Sequence, residues 1–170
     1  FFIFVATIVP GCDVTIRRVG MNPTRTGLMY VMRKMGADIQ VLDQREEAGE
    51  PVGDLRVKSA SLKGVTIGSE LIPKTIDEFP VLCVAAAVAD GDTVIFGAEE
   101  LRVKESDRIA TMSGELRAMG ALIEERPDGM IIRGLGQGGE NGRLNATSSA
   151  QSHGDHRVAM SLAIGGLTAE

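Results

Sequence analysis

Tryptophan is absent from this sequence, tyrosine occurs once and phenylalanine five times, so there are few rings on which nucleic-acid bases could stack. Together with a net charge of −5, this argues against a binding surface built from basic patches and aromatic platforms. The two cysteines, Cys12 and Cys83, supply no disulfide framework and no metal-ligand spacing. Cys83 lies inside an apolar run and reads as a small core residue. Both histidines, His153 and His156, fall in one short segment without a partner cysteine or histidine pattern, which speaks against zinc; no metal or cofactor is expected. Long hydrophobic runs are missing too, because Pro10 and Gly11 stop the first one well short of a membrane span. The opening Phe-Phe-Ile-Phe-Val has neither a basic flank nor an initiating Met, so it reads as the middle of a helix rather than as a signal peptide. These absences fit a reducing, cytoplasmic setting.

What is present is ordinary for a globular protein: 170 residues, 44% hydrophobic and 24% charged, enough for one large domain or two small ones. Residues 1–9 read as an apolar helix and Val14–Ile16 as a strand. Asn22-Pro23-Thr24 marks a helix start, followed by apolar Leu28, Val31, Met32 and Met35, with Gly36 as the stop. Strands are expected at 37–42, 55–59 and 64–67, with an acidic turn over 44–51. A helix over 77–89, a strand over 93–96, a helix over 105–119 and strands near 121–125 and 130–133 follow. The Gly-, Ser- and Asn-rich stretch 134–154 is expected to be a long loop, and a last helix starts near Asp155. The G-x-G-x-x-G match at 134–139 lacks an apolar helix behind it and does not read as a dinucleotide site. Without a signal peptide, the sequon Asn145-Ala146-Thr147 carries no weight.

The chain also repeats. Val5–Gly11 parallels Ala85–Gly91, and Met35-Gly36-Ala37 parallels Met119-Gly120-Ala121, at offsets of 80 and 84 residues. Each copy reads helix, strand, helix, strand, strand, which predicts an α/β fold of mixed α+β character built from βαβαββ units rather than a doubly wound sheet. The units are expected at 1–75, 76–154 and 155–170.

The stretch Leu101-Arg102-Val103-Lys104-Glu105-Ser106-Asp107-Arg108-Ile109 carries five charges in nine residues. If it opens a helix, Glu105 heads an apolar stripe through Ile109, Met112 and Leu116, and Lys104 and Arg108 are neighbours on one side. Asp77 heads Val81, Val84 and Val88 at the same spacing, and Asp155 heads Ala159, Leu162 and Gly166. Three acids at the heads of roughly parallel helices would meet at one end, where helix N-termini and the cations favour an anionic small molecule. Taken singly, Asp77 and Asp155 also read as N-caps, and a charged first turn also reads as a solvated helix start.

Leu101–Arg108 and Gly154-Asp155-His156-Arg157-Val158-Ala159-Met160 closely resemble the 5-enolpyruvylshikimate-3-phosphate synthase family. Met21–Gly27, Asp54–Lys58 and Ile76–Pro80 resemble its glyphosate-tolerant bacterial members. The resemblance runs almost end to end. It implies an alpha-beta prism with three βαβαββ units in each of two domains, of which this chain would be a partial second domain, monomeric when full length. The implied reaction moves the enolpyruvyl group of phosphoenolpyruvate to the 5-hydroxyl of shikimate 3-phosphate and releases phosphate. By the same resemblance Asp77 would hold shikimate hydroxyls and accept a proton, Lys104 would touch that ligand, and Glu105 would donate a proton to phosphoenolpyruvate. Arg108 and Arg157 would grip the phosphoenolpyruvate carboxylate, with Asp155 and His156 as supporting neighbours. Some relatives have Asn where this chain has Glu100, which removes one implied contact to the shikimate phosphate. The first domain's phosphate ligands and a lysine beyond Glu170 would complete the site. Enolpyruvyl transfer to UDP-N-acetylglucosamine and a non-catalytic anion- or RNA-binding module are the competing readings.

Overall fold

The computed structural model describes residues 1–136, 143–145 and 149–169. The chain is a mixed α/β structure with two sheets and a buried helical layer. The order is α1 (Phe2–Ile8), β1 (Asp13–Gly20), α2 (Gly27–Lys34), β2 (Asp38–Glu47), β3 (Glu50–Lys58) and β4 (Thr66–Ile67). Then come α3 (Ile72–Thr75), α4 (Phe79–Val88), β5 (Asp90–Ile95), a 3₁₀ turn at Glu99–Val103, α5 (Arg108–Ala118), β6 (Leu122–Arg126), β7 (Gly129–Leu135) and α6 (His156–Gly166). The first sheet runs β1-β3-β2, antiparallel throughout; the second runs β4-β5-β7-β6, with β4 parallel to β5 and the other pairs antiparallel.

Helix α4 is the centre. All ten of its residues are buried, and it packs on α1, α5, α6 and β7. A helix that is apolar all round belongs inside a core, so the expected one-sided stripe through Val81, Val84 and Val88 does not describe it. Nor does the helix start at Asp77: Phe79-Pro80 opens it, proline fitting the first turn because its missing N–H has no intrahelical partner there. Asp77 sits in the joint between α3 and α4 and is not an N-cap.

The sequence repeat is matched bond for bond. Gly36 and Gly120 both end their helices with positive φ, 100° and 90°, and Ala37 N and Ala121 N donate back to Met32 O and Leu116 O. Arg33 donates to Ile39 O as Arg117 does to Ile123 O. Gly11 and Gly91 share a left-handed backbone, with φ of 78° and 82°.

Three expectations need correction. The acidic turn over 44–51 is largely strand: β2 continues to Glu47 and turns only at Ala48-Gly49, held by its ladder to β3 and by Arg45 Nε donating to Glu47 Oε1 at 2.8 Å. The loop expected from Gly134 starts later, because Gly134 and Leu135 pair with Gly91 and Asp90. On α6 the buried residues are Val158, Ser161, Leu162, Ile164 and Gly165, while Ala159 and Gly166 are exposed. The last part of the 134–139 glycine run and the end of the 145–147 sequon lie outside the described residues. Among the described residues no helix is long and apolar enough to cross a membrane.

Candidate functional site

The charged stretch 101–109 is not one helix. A 3₁₀ turn ends at Val103, Lys104 is extended, and α5 begins at Arg108. The physical reason is the cap: Asp107 Oδ1 accepts from Ala110 N at 2.9 Å, and Asp is a far better N-cap than Glu. Lys104 and Arg108 are therefore not one helical turn apart, and Glu105 does not head a buried stripe; its side chain is 52% exposed. Ile109, Met112 and Leu116 are buried as expected.

Even so, the three acids meet, and Arg108 is where they meet. Its side chain is 1% exposed. Nε donates to Asp155 Oδ2 at 2.8 Å, Nη2 to Glu105 Oε2 at 2.8 Å and Nη1 to Ile76 O at 3.1 Å, with Asp77 Oδ1 3.8 Å from Nη1. Arg157, on the first turn of α6, closes the other side of Asp77: Nη2 lies 3.1 Å from Oδ2 and Nη1 donates to the Asp77 backbone oxygen at 3.1 Å. A planar guanidinium with five donors can serve several acceptors at once, which an ammonium could not do in this geometry.

Asp155 is buried and has two jobs. Oδ1 caps α6 by accepting from Arg157 N at 2.8 Å and Val158 N at 3.4 Å, while Oδ2 takes Arg108 and a long 3.5 Å contact from Ser106 Oγ. Burial pushes its carboxyl up, but the Arg108 guanidinium and the two backbone N–H groups outweigh that and hold it below the ordinary carboxylate value. The N-cap reading of Asp155 holds, and its second oxygen joins the cluster around Arg108. His156 is the first helical residue beside that cap and is exposed; Lys104 is exposed too, with no ion pair among the described residues.

The segment that carries Glu105 is strapped down by Arg102. Its Nη1 donates to Asp107 Oδ2 at 2.9 Å, Nη2 to Glu125 Oε1 at 3.0 Å and to Arg126 O at 2.6 Å, and Nε to Pro127 O at 2.7 Å. A cleft of about 250 Å³ adjoins the cluster at Ile76 and Asp77, lined also by Thr24, Arg25, Lys74 and Glu78. Burial, then the neighbouring Asp77 charge, pushes the Glu78 carboxyl up. Among the described residues no group of His, Cys, Asp and Glu is arranged to hold a metal ion.

A convergent set of carboxylates and guanidiniums at helix starts suits a small anionic ligand and proton transfer beside it. A family model for EPSP synthase (3-phosphoshikimate 1-carboxyvinyltransferase) matches residues 1–170. The chain belongs to the EPSP synthase family. It is 56% identical over 169 residues to the 3-phosphoshikimate 1-carboxyvinyltransferase of Geobacter sulfurreducens, covering 99% of this chain and 38% of that protein. The protein of the same name from Acidithiobacillus ferrooxidans is 55% identical over 170 residues, covering 100% of this chain and 37% of that one. A 2.37 Å structure of EPSP synthase from Acinetobacter baumannii superposes with a TM-score of 0.93 at 45% identity, covering 99% of this chain and 38% of that chain. The chain therefore spans little more than a third of the length of these EPSP synthases.

Within this EPSP synthase frame the sequence reading missed Arg102, the Ile76 carbonyl and the cap at Asp107. The cap was legible: Ser106-Asp107 immediately precedes the apolar run from Ile109, which is a helix-start signal in its own right. The Arg102 strap depends on a turn 25 residues away at Pro127, and nothing local announces it.

Proposed function

We propose that this chain is the larger part of the second domain of a 3-phosphoshikimate 1-carboxyvinyltransferase of the glyphosate-tolerant bacterial kind. It would act in the cytoplasm and need a first domain to complete its cleft, with units dividing near residues 76 and 155. The observation that carries the reading is Arg108, held at a junction of Asp77, Glu105 and Asp155 from three separate segments, beside the accessible guanidinium of Arg157. In the proposed reaction Asp77 takes the proton of the shikimate 5-hydroxyl as its oxygen bonds to C2 of phosphoenolpyruvate, and Glu105 gives a proton to the methylene carbon. Glu105, left as a carboxylate, then takes back a methyl proton as the C2–O bond to phosphate breaks, which restores the double bond and releases phosphate with the product. Lys104, exposed and without an ion pair among the described residues, would contact the shikimate ligand. Arg157, 26% exposed, is the first guanidinium a phosphoenolpyruvate carboxylate would reach. Arg108 lies behind Glu105, so its use as a ligand group requires Glu105 Oε2 to exchange it for the substrate, which also frees the acid for proton donation.

The test uses a full-length polypeptide that contains this chain. Phosphate release is expected from phosphoenolpyruvate with shikimate 3-phosphate and not with UDP-N-acetylglucosamine, and Glu105→Gln should lower kcat by roughly two to four orders of magnitude. The isolated 170-residue chain is expected to release none. Turnover with the nucleotide sugar alone, or an unimpaired Glu105→Gln variant, would overturn the substrate or the role respectively.

A further inference from the structure

Arg157 and Asp155 enter the site from a short connector whose backbone is strained. His153 and Gly154 are consecutive residues with left-handed backbone, φ 52° and 79°, and for histidine that conformation is disfavoured unless its surroundings impose it. The side chain that contacts this connector from α5 is Glu115. Its Oε2 accepts from Gln151 N at 2.9 Å and its Oε1 lies 2.8 Å from His153 Nε2. Burial pushes the Glu115 carboxyl up, yet the Gln151 N–H and His153 together hold it below its ordinary value, so the anion is well accommodated although only 15% exposed.

Two turns earlier on the same helix, Arg108 Nε grips Asp155 Oδ2 at 2.8 Å. Helix α5 thus holds residues 151–155 at two points, and the start of α6 with Arg157 follows at once. We propose that Glu115 is a positioning residue: through Gln151 and His153 it fixes the connector that aims Arg157, without touching a ligand itself. The proposal rests on the enolpyruvyl-transfer reading, in which Arg157 binds the phosphoenolpyruvate carboxylate.

The experiment compares the full-length wild type with Glu115→Ala, Glu115→Gln and His153→Ala, reading both Michaelis constants, kcat and backbone amide exchange over 151–158. Glu115→Ala should raise KM for phosphoenolpyruvate by about tenfold while KM for shikimate 3-phosphate and kcat change by less than about threefold. Glu115→Gln keeps the shape and one acceptor for Gln151 N–H, and should restore most of the loss. His153→Ala removes only the outer contact and should raise the same KM by about threefold. Amides 151–158 should exchange about tenfold faster in Glu115→Ala. An unchanged phosphoenolpyruvate KM in Glu115→Ala, or equal loss in every parameter, overturns the proposal. If Glu115→Ala does not fold, an unchanged phosphoenolpyruvate KM in His153→Ala does so instead. If the wild type turns over neither acceptor, the enolpyruvyl reading fails on that result. Exchange over 151–158 then decides whether Glu115 positions the connector, unchanged rates refuting it.

Discussion

Asp155 illustrates how one carboxylate can be required by both the fold and the site. One oxygen satisfies N–H groups at the start of α6, and the other neutralises a guanidinium that has almost no access to water. Asp155→Asn would keep the cap oxygen and lose the charge. Leaving Arg108 buried with only the partly exposed Glu105 and Asp77 as countercharges should destabilise the fold by about 3 kcal/mol at pH 7. The pH dependence follows from the sign of the shift. Because the folded state holds the Asp155 carboxyl below its ordinary value of 3.8, its contribution is complete above that value and is lost as pH falls through the lower folded one. Urea unfolding of wild type and variant should thus show a gap that is constant from about pH 5 to 7 and narrows below about pH 4. A gap that widens on acidification would refute the assignment.

At the scale of elements, the repeat was the most legible feature because it is written in residues with a fixed mechanical job. A glycine after each helix provides the left-handed stop, and an arginine three residues before it bonds the carbonyl of the next strand. Helix α5 was misread at its start because charge spacing was followed in place of the cap signal at Asp107. The extension of β2 to Glu47 was illegible for another reason: its outer residues are polar on both faces, and ladder bonds and ion pairs hold it where no apolar alternation exists. Gly27, the first residue of α2, shows a constraint that only the structure reveals. A Cβ there would run into the backbone and Cβ of Lys74 at the α2–α3 contact. Gly27→Ala should therefore cost roughly 1–3 kcal/mol in thermal or urea unfolding, despite alanine's better helix propensity. A neutral or stabilising result would mean that α3 yields freely.

At the scale of the whole molecule, the helix starts share one end. The α4, α5 and α6 starts are tied together through Arg108 and Arg157, and residues just before α2 line the cleft beside Asp77. Their dipoles and the exposed Lys104, Arg25 and Lys74 offset the acids and leave an end suited to anions. The same end exposes Val103, 82% accessible and next to Lys104, an unfavourable place for an apolar side chain unless something covers it. The two-domain reading proposed above predicts that a first domain closes over this end when both substrates bind. Val103→Cys in a full-length protein with Cys12→Ser should then be alkylated rapidly without ligands and at least about fivefold more slowly with both present. Cys83 will not interfere, being buried with its thiol pushed up by desolvation, and with any cysteine outside residues 1–170 replaced by serine the reading comes from the introduced thiol. A protein that releases phosphate normally yet is alkylated at the same rate with and without both ligands would show that Val103 lies outside the closing surface.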